Sequence, residues 1–353
     1  MKTTILHKGI ELDGHELISY FFDVQTGLEG FFSLHNTNLG PAVGGTRCLP
    51  YRSAEEALRD ALLLSRAMTY KCALAGVPFG GGKAVIIGSF NGKNRLQKLT
   101  RYGERLNLFK GSFFTGEDVG ISMSDVEVLA KKSSFIIGSS HASGDPSPWA
   151  ARGVLHAMKA ALQSVFGSKS MAGRKIAIKG LGKVGQELCQ LVSEEGAEII
   201  VTDINPVAIK KIHKLFSRVV IVPPTEIHRQ KVDVFSPCAL GGDLNRASIK
   251  KLRCAIVCGS ANNQLAMNSD GDRLHKAGIL YIPDYLANAG GLINVVDELN
   301  PTGYNRNRVI KKVSDIELTT LKLLEYARKK RQATHVVADA MAQSIFSKKV
   351  SHS

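Results

Sequence analysis

Long apolar runs are missing from this 353-residue chain. No stretch approaches the roughly 18 consecutive apolar residues that a membrane-spanning helix needs, so no helical span is expected. Residues 1–14 mix histidine and charged side chains with short apolar runs. No apolar leader is read there, and a cytoplasmic location is expected. The six cysteines (Cys48, Cys72, Cys189, Cys238, Cys254 and Cys258) include no CxxC pair and no cluster with histidine at zinc-finger spacing. That argues against a disulfide framework and against a bound metal, and the thiols read as reduced and structural. Acidic residues are the scarcer charge, 31 against 46 basic ones, for a net charge of +15. The bases are scattered through residues 93–110, 306–312 and 328–331. With a single tryptophan and no aromatic ladder, nucleic acid is not an expected partner. Repeats and low-complexity tracts are also absent.

What is present is a soluble globular composition, 44% hydrophobic, in a chain long enough for two domains. Ser53 with Glu56 spells a capping box before a helix whose apolar face runs through Leu58, Ala61, Leu62, Ser65 and Met68. Ser124 with Glu127 predicts a second helix start of the same kind. After Pro146-Ser147-Pro148 the pattern changes. Short β-rich runs at 175–179, 198–203, 232–236, 254–258 and 279–282 alternate with helical stretches. That alternation predicts a parallel, doubly wound sheet, followed by an amphipathic helix over 314–330.

Residues 176–179 read as a strand that runs into Gly180-Leu181-Gly182-Lys183-Val184-Gly185. Val184, Leu188, Leu191 and Val192 then recur at helical spacing, and a second strand ends in Asp203. A GxGxxG in that strand–turn–helix setting is a dinucleotide fingerprint. Its glycines allow a tight turn and let a pyrophosphate approach the helix N-terminus. Asp203 can accept from the ribose hydroxyls and repels a 2′-phosphate, and no arginine follows it in residues 204–206, so NAD is expected rather than NADP.

Thr69-Tyr70-Lys71 precedes Gly80-Gly81-Gly82-Lys83. A glycine triplet directly before a lysine, in an apolar stretch, suggests backbone held close to something with an ammonium beside it. A partly buried lysine near another cation has a lowered pKa and can act as a base.

Residues 40–47 (GPAVGGTR), 68–71 (MTYK), 80–83 (GGGK), 115–120 (TGEDVG), 259–264 (GSANNQ) and 288–294 (NAGGLIN) together resemble the Glu/Leu/Phe/Val dehydrogenases. The likeness is strongest to the leucine and phenylalanine dehydrogenase branch and runs through almost the whole chain. It implies an α/β fold with an N-terminal α/β substrate domain, residues 1–140, completed by a C-terminal helix at 325–353. A Rossmann NAD-binding domain would occupy 141–324. It implies reversible, NAD-dependent oxidative deamination of a hydrophobic L-amino acid to its 2-oxo acid and ammonia, by a homo-oligomer. By the same resemblance Lys71 binds the substrate carboxylate, and Asn263, Gly44 and Gly45 also meet the substrate. Lys83 is the general base that activates water, and Asp118 exchanges protons with the substrate nitrogen. Arg47, Ser147, Ala150, Ala239, Leu240 and Asn262 fall where the family lines the cofactor.

Two departures stand out. Ala150 replaces a family threonine whose hydroxyl helps hold the nicotinamide carboxamide, and Lys183 replaces the usual asparagine in the glycine loop. Trp149, beside Ala150, packs in the hinge or stacks near the cofactor. The resemblance lines the side-chain pocket with Val43, Met68, Gly116, Leu292 and Val295. Glycine and leucine at 116 and 292 resemble the aromatic-using relatives, so phenylalanine or tryptophan is slightly favoured over leucine. A leucine or branched-chain enzyme is the alternative, and a weakly active NAD-binding regulator is a further one.

Overall fold

A computed structural model describes residues 14–90, 92 and 94–347. The N-terminal stretch read for a leader (apart from Gly14), Lys93 of the basic segment, and residues 348–353 of the expected C-terminal helix lie outside the described residues. Contacts divide the chain into two units. The first comprises Met1–Asp145, Val295–Tyr304 and Ala342–Ser353, and the second Pro146–Asn294 and Asn305–Met341.

The first unit is built on six strands: β1 (Leu17–Asp23), β2 (Leu28–Asn36), β3 (Ala42–Val43), β4 (Thr46–Leu49), β5 (Gly80–Ile87) and β6 (Phe113–Phe114). The order is β1-β2-β5-β3-β6, with β4 also on β5. β1, β2 and β5 pair antiparallel, whereas β3 and β4 lie parallel to β5. Alternate side chains serve opposite faces. Phe31 and Val85 pack with Ala57, Leu58, Ala61 and Leu62 of the helix Ala54–Ala75. Phe32, Ala84 and Ile86 pack on the other side with Leu99, Tyr102, Val126 and Leu129, from the helices Arg95–Leu106 and Met123–Ala130.

Ser53 caps the helix Ala54–Ala75 as expected, accepting from the Glu56 amide at 3.1 Å. The box is only half made, because the Glu56 carboxylate accepts from the Arg52 amide instead. The next expected start is corrected by two residues. Ser122, not Ser124, caps the helix Met123–Ala130, and Asp125 reaches back to the Ser122 amide to close the box. Both serines have an acid three residues on, but Glu127 is engaged elsewhere, accepting from the backbone and hydroxyl of Ser140.

The second unit carries β7 (Lys175–Lys179), β8 (Glu198–Thr202), β9 (Val220–Ile221), β10 (Val234–Pro237), β11 (Ile256–Val257) and β12 (Leu280–Tyr281). All pair parallel, in the order β12-β11-β10-β7-β8-β9. This is the expected doubly wound sheet, and its order reverses between β7 and β10, where such sheets bind ligands at the carboxyl ends. β9 was not legible, because it is two exposed residues long. The expected helix at 314–330 begins earlier, at Arg306, since Asn305 accepts from the Asn307 and Arg308 amides and caps it there.

Ser122→Ala is expected to destabilise the protein by about 0.5–2 kcal/mol, the range for loss of an N-cap. Ser124→Ala should lie within about 0.5 kcal/mol of wild type. Urea unfolding of both variants checks which serine caps; equal effects would contradict the assignment.

Candidate functional site

In the first unit, glycines allow a set of close backbone approaches. A Cβ on Gly81 would lie 2.1 Å from the Thr69 amide nitrogen, and one on Gly82 would lie 2.7 Å from the Phe113 ring. β5 therefore sits tight between the helix Ala54–Ala75 and β6. Gly44 is pressed on the Gly82 carbonyl at 1.9 Å by the same measure, and Gly45 on Glu117 and Asp118 at under 3 Å. The Thr46 and Cys48 amides donate to the carbonyls of Gly116 and Val119. β4 thus grips the 116–119 loop at both ends, and residue 47 lies between the two grips.

These approaches bring three sequence-predicted residues together. Lys83, on β5, shares the helix-facing side with Gly81 and Val85 and is only 4% exposed. Its Nζ lies 3.1 Å from Asp118 Oδ2. Arg47 Nε donates to the same oxygen at 2.8 Å, and Arg47 Nη1 reaches Asp60 at 3.1 Å. Burial is the largest influence on the Lys83 pKa and lowers it; Asp118 raises it, the Arg47 cation lowers it further, and the net shift is downward. The sequence had suggested only Lys71 as that like charge. Burial alone would raise the Asp118 pKa, but Lys83 and Arg47 outweigh it and hold the carboxyl below the usual range. Because Arg47 keeps Asp118 compensated, Lys83 can give up its proton without stranding a buried carboxylate. Such a pair can accept a proton from water and can stabilise positive charge on a bound group.

The remaining predicted residues of the first unit are Val43, buried on β3; Met68 and Lys71, near the C-terminal end of the helix Ala54–Ala75; Gly116; and Val295. Gly116 does not face open space, since a Cβ there would lie 2.3 Å from the Ile137 carbonyl oxygen. The Ile137 amide donates to the Thr115 carbonyl, which holds that segment in place. The sequence had no signal that Arg47 pairs with Asp118. Asp60 could have been suspected, as an acid one turn from the buried Ala57 on that helix.

In the second unit β7 leads into Gly180-Leu181-Gly182 and the helix Lys183–Glu194. Gly180 takes a left-handed backbone, φ +104°, and packs on Ala239; Gly185 packs on the Gly180 carbonyl. A Cβ on Gly182, by contrast, would meet nothing within 4 Å. The helix start has no side-chain cap and no acid in its first turn. Asp203 accepts from the Leu181 amide at 2.5 Å and the Asn205 amide at 2.7 Å. Its carboxylate clamps the loop and keeps further lone pairs for a ligand's hydroxyls. An open cradle at Gly182, an uncapped helix start and an acid at the end of β8 fit a dinucleotide.

Elsewhere in this unit Leu240 is exposed. Asn262 accepts from Asn288 at 2.8 Å, and the Asn263 amide donates to Asp284 at 2.8 Å. Ser147 opens the helix Ser147–Phe166, on which Trp149 is buried. Gly290 approaches the Trp149 carbonyl, and Gly291 approaches Pro146 and Ala150. Sequence reasoning missed one charged cluster here. Lys179, the last residue of β7, pairs with Asp243, which also lies 3.1 Å from His228 Nε2. Burial opposes ionisation of Asp243, but His228 and Lys179 together hold its pKa below the usual range. Among the described residues no His, Cys, Asp and Glu cluster could hold a metal.

The chain matches two family descriptions, "Glu/Leu/Phe/Val dehydrogenase, dimerisation domain" over residues 18–139 and "Glutamate/Leucine/Phenylalanine/Valine dehydrogenase" over 204–348. It is 42% identical to a leucine dehydrogenase of Geobacillus stearothermophilus, covering 96% of this chain and 92% of that protein. It is 41% identical to an L-tryptophan dehydrogenase of Nostoc punctiforme, with 96% and 95% covered. A crystal structure of L-tryptophan dehydrogenase from Nostoc punctiforme superposes with a TM-score of 0.81 at 40% identity, over 95% of this chain and 96% of that one. A hetero-hexameric glutamate dehydrogenase of Thermus thermophilus shares the fold, with a TM-score of 0.78 at 20% identity over 95% and 89%.

The glycine geometry separates space from packing. Gly182→Ala should fold with unchanged thermal stability and bind a dinucleotide at least about tenfold more weakly, because its Cβ enters the space left for the pyrophosphate. Gly185→Ala should destabilise the fold itself. Calorimetry and titration of both check this; wild-type binding by Gly182→Ala would contradict the cradle.

Proposed function

Because the chain belongs to the Glu/Leu/Phe/Val dehydrogenase family, we propose that it reversibly deaminates a hydrophobic L-amino acid, giving the 2-oxo acid and ammonia with NAD as cofactor. The observation that carries this reading is the buried Lys83 ammonium, 3.1 Å from Asp118, with its pKa lowered chiefly by burial.

Each residue has a task in that reaction. Lys71 binds the substrate carboxylate, and Asn263 also contacts the substrate. Bound NAD supplies the acceptor for the hydride of the substrate Cα. Asp118, ionised beside Arg47 and Lys83, stabilises the iminium that forms and exchanges protons with the nitrogen. Lys83, in its neutral form, takes a proton from the attacking water. Residues 180–185 and Asp203 hold NAD, with Arg47, Ser147, Ala150, Ala239, Leu240 and Asn262 as further contacts. Asp203 disfavours the 2′-phosphate of NADP.

Identity does not choose the substrate, since leucine, tryptophan and phenylalanine dehydrogenases all stand at 40–43%. Gly116 lacks the methyl that would narrow a pocket for a flat ring, but a methyl there would meet the Ile137 carbonyl, so Gly116 lends the aromatic reading little weight. A modest aromatic preference then rests on Leu292. We also propose a homo-oligomer, supported by the match to a segment described as a dimerisation domain. A cytoplasmic location is supported by six unpaired cysteines, which suit a reducing compartment.

Lys83→Ala should lower kcat for deamination by at least about 100-fold and leave NAD affinity, measured by titration, at the wild-type value. A base with a lowered pKa is neutral above that pKa, so wild-type kcat/KM should rise with pH through it. Retention of more than about a hundredth of kcat by the variant contradicts the role.

NADH formation with a panel of amino acids tests the activity and its range. The expected result is turnover with phenylalanine, tryptophan and leucine, and a higher kcat/KM with NAD than with NADP. Leu292→Val should lower the phenylalanine-to-leucine ratio of kcat/KM by about tenfold, within the range that one or two methylenes can discriminate. An unchanged ratio places selection elsewhere.

A further inference from the structure

Asp60 has no task in the reaction just proposed, yet it is tied to the residues that do. It lies on the helix Ala54–Ala75, one turn from the buried Ala57 and Leu64, with its side chain 24% exposed. Its Oδ2 accepts from the Tyr51 hydroxyl at 2.6 Å and from Arg47 Nη1 at 3.1 Å. The other arm of the same guanidinium, Nε, donates to Asp118 Oδ2 at 2.8 Å, and Lys83 Nζ reaches that oxygen at 3.1 Å. Two cations and two carboxylates alternate as Asp60, Arg47, Asp118 and Lys83, and the chain of contacts ends on the Tyr51 hydroxyl.

We propose that Asp60 is a positioning residue: by holding one edge of the Arg47 guanidinium, it stops Arg47 from taking Asp118 with both arms and leaves Asp118 Oδ2 open to Lys83. The inference rests on the reading of Lys83 as the base. A guanidinium presents a rigid fork that suits a carboxylate bidentately. Freed from Asp60, Arg47 would turn that fork on Asp118 and displace the ammonium from its oxygen.

The consequence falls on Lys83. The charged groups around it are Asp118 from its loop, Arg47 from β4, and Asp60 on the packed helix, with Tyr51 behind Asp60. The same helix also carries Glu55, Glu56, Arg59, Arg66 and Lys71, and the loop also carries Glu117. Neutralising Asp60 removes a negative charge that favours the ammonium and weakens the Asp118 contact that also favours it. Both effects lower the Lys83 pKa, so the neutral base appears at lower pH.

The test compares kcat/KM against pH for wild type, Asp60→Asn and Asp60→Glu. It also follows Lys83 directly, by the pH dependence of its carbamoylation with cyanate, read by mass spectrometry without turnover. In Asp60→Asn the acidic limb and the labelling midpoint should both move down by about one pH unit. Asp60→Glu, which restores the charge, should move both back toward wild type. If Asp60→Asn does not fold, Asp60→Ser takes its place. An unmoved labelling midpoint overturns the inference and leaves the base assignment to the Lys83→Ala result. A midpoint that moves while the limb stays upholds the Asp60 role and refutes Lys83 as the base.

Discussion

Placing the Lys83 ammonium in an interior strand costs several kcal/mol of lost hydration unless charge and hydrogen bonds compensate it, and much of the first unit provides that compensation. Gly80, Gly81 and Gly82 let β5 lie against the helix, β6 and Asn36. The grip of β4 on residues 116–119 carries Asp118 to within 3.1 Å. Arg47, placed by the same strand, shares the carboxylate. Compensation is deliberately incomplete in effect: burial and Arg47 together outweigh Asp118, and the lysine is left easier to deprotonate than one in water.

The second unit solves a different problem with the same residue type. A dinucleotide needs backbone amides at close range and no side chain in the way. Gly180 and Gly185 satisfy packing within the protein, on Ala239 and on the loop itself, whereas Gly182 faces open space. Asp203 holds the loop through the Leu181 amide, and in the proposed reading its remaining lone pairs serve the ribose hydroxyls. The Lys179, Asp243 and His228 cluster adds a charged tie between the end of β7 and the segment after Ala239 and Leu240. Cofactor loop and strand end are therefore held by ionic contacts as well as by backbone pairing.

Much of this was legible in the amino-acid order. The alternation of short apolar strands and helices specifies a parallel sheet, and the strand–GxGxxG–helix context specifies its ligand edge. Lys83 and Asp118 stood out through the glycine triplet and the family motifs. The alternation, the GxGxxG context and the glycine triplet are local, so spacing reveals them, whereas Asp118 was legible only through the family resemblance. Only tertiary structure decided the rest. Whether Ser122 or Ser124 capped a helix depended on Ser140, which engages Glu127 from a distant loop. Whether Gly116 opened a wall or admitted a neighbour depended on the Ile137 carbonyl. Arg47, Asp60 and Asp118 lie on a strand, a helix and a loop, with Asp60 13 and Asp118 71 residues after Arg47. A salt-bridge network is a property of distances across such elements, and no periodicity along the chain encodes it.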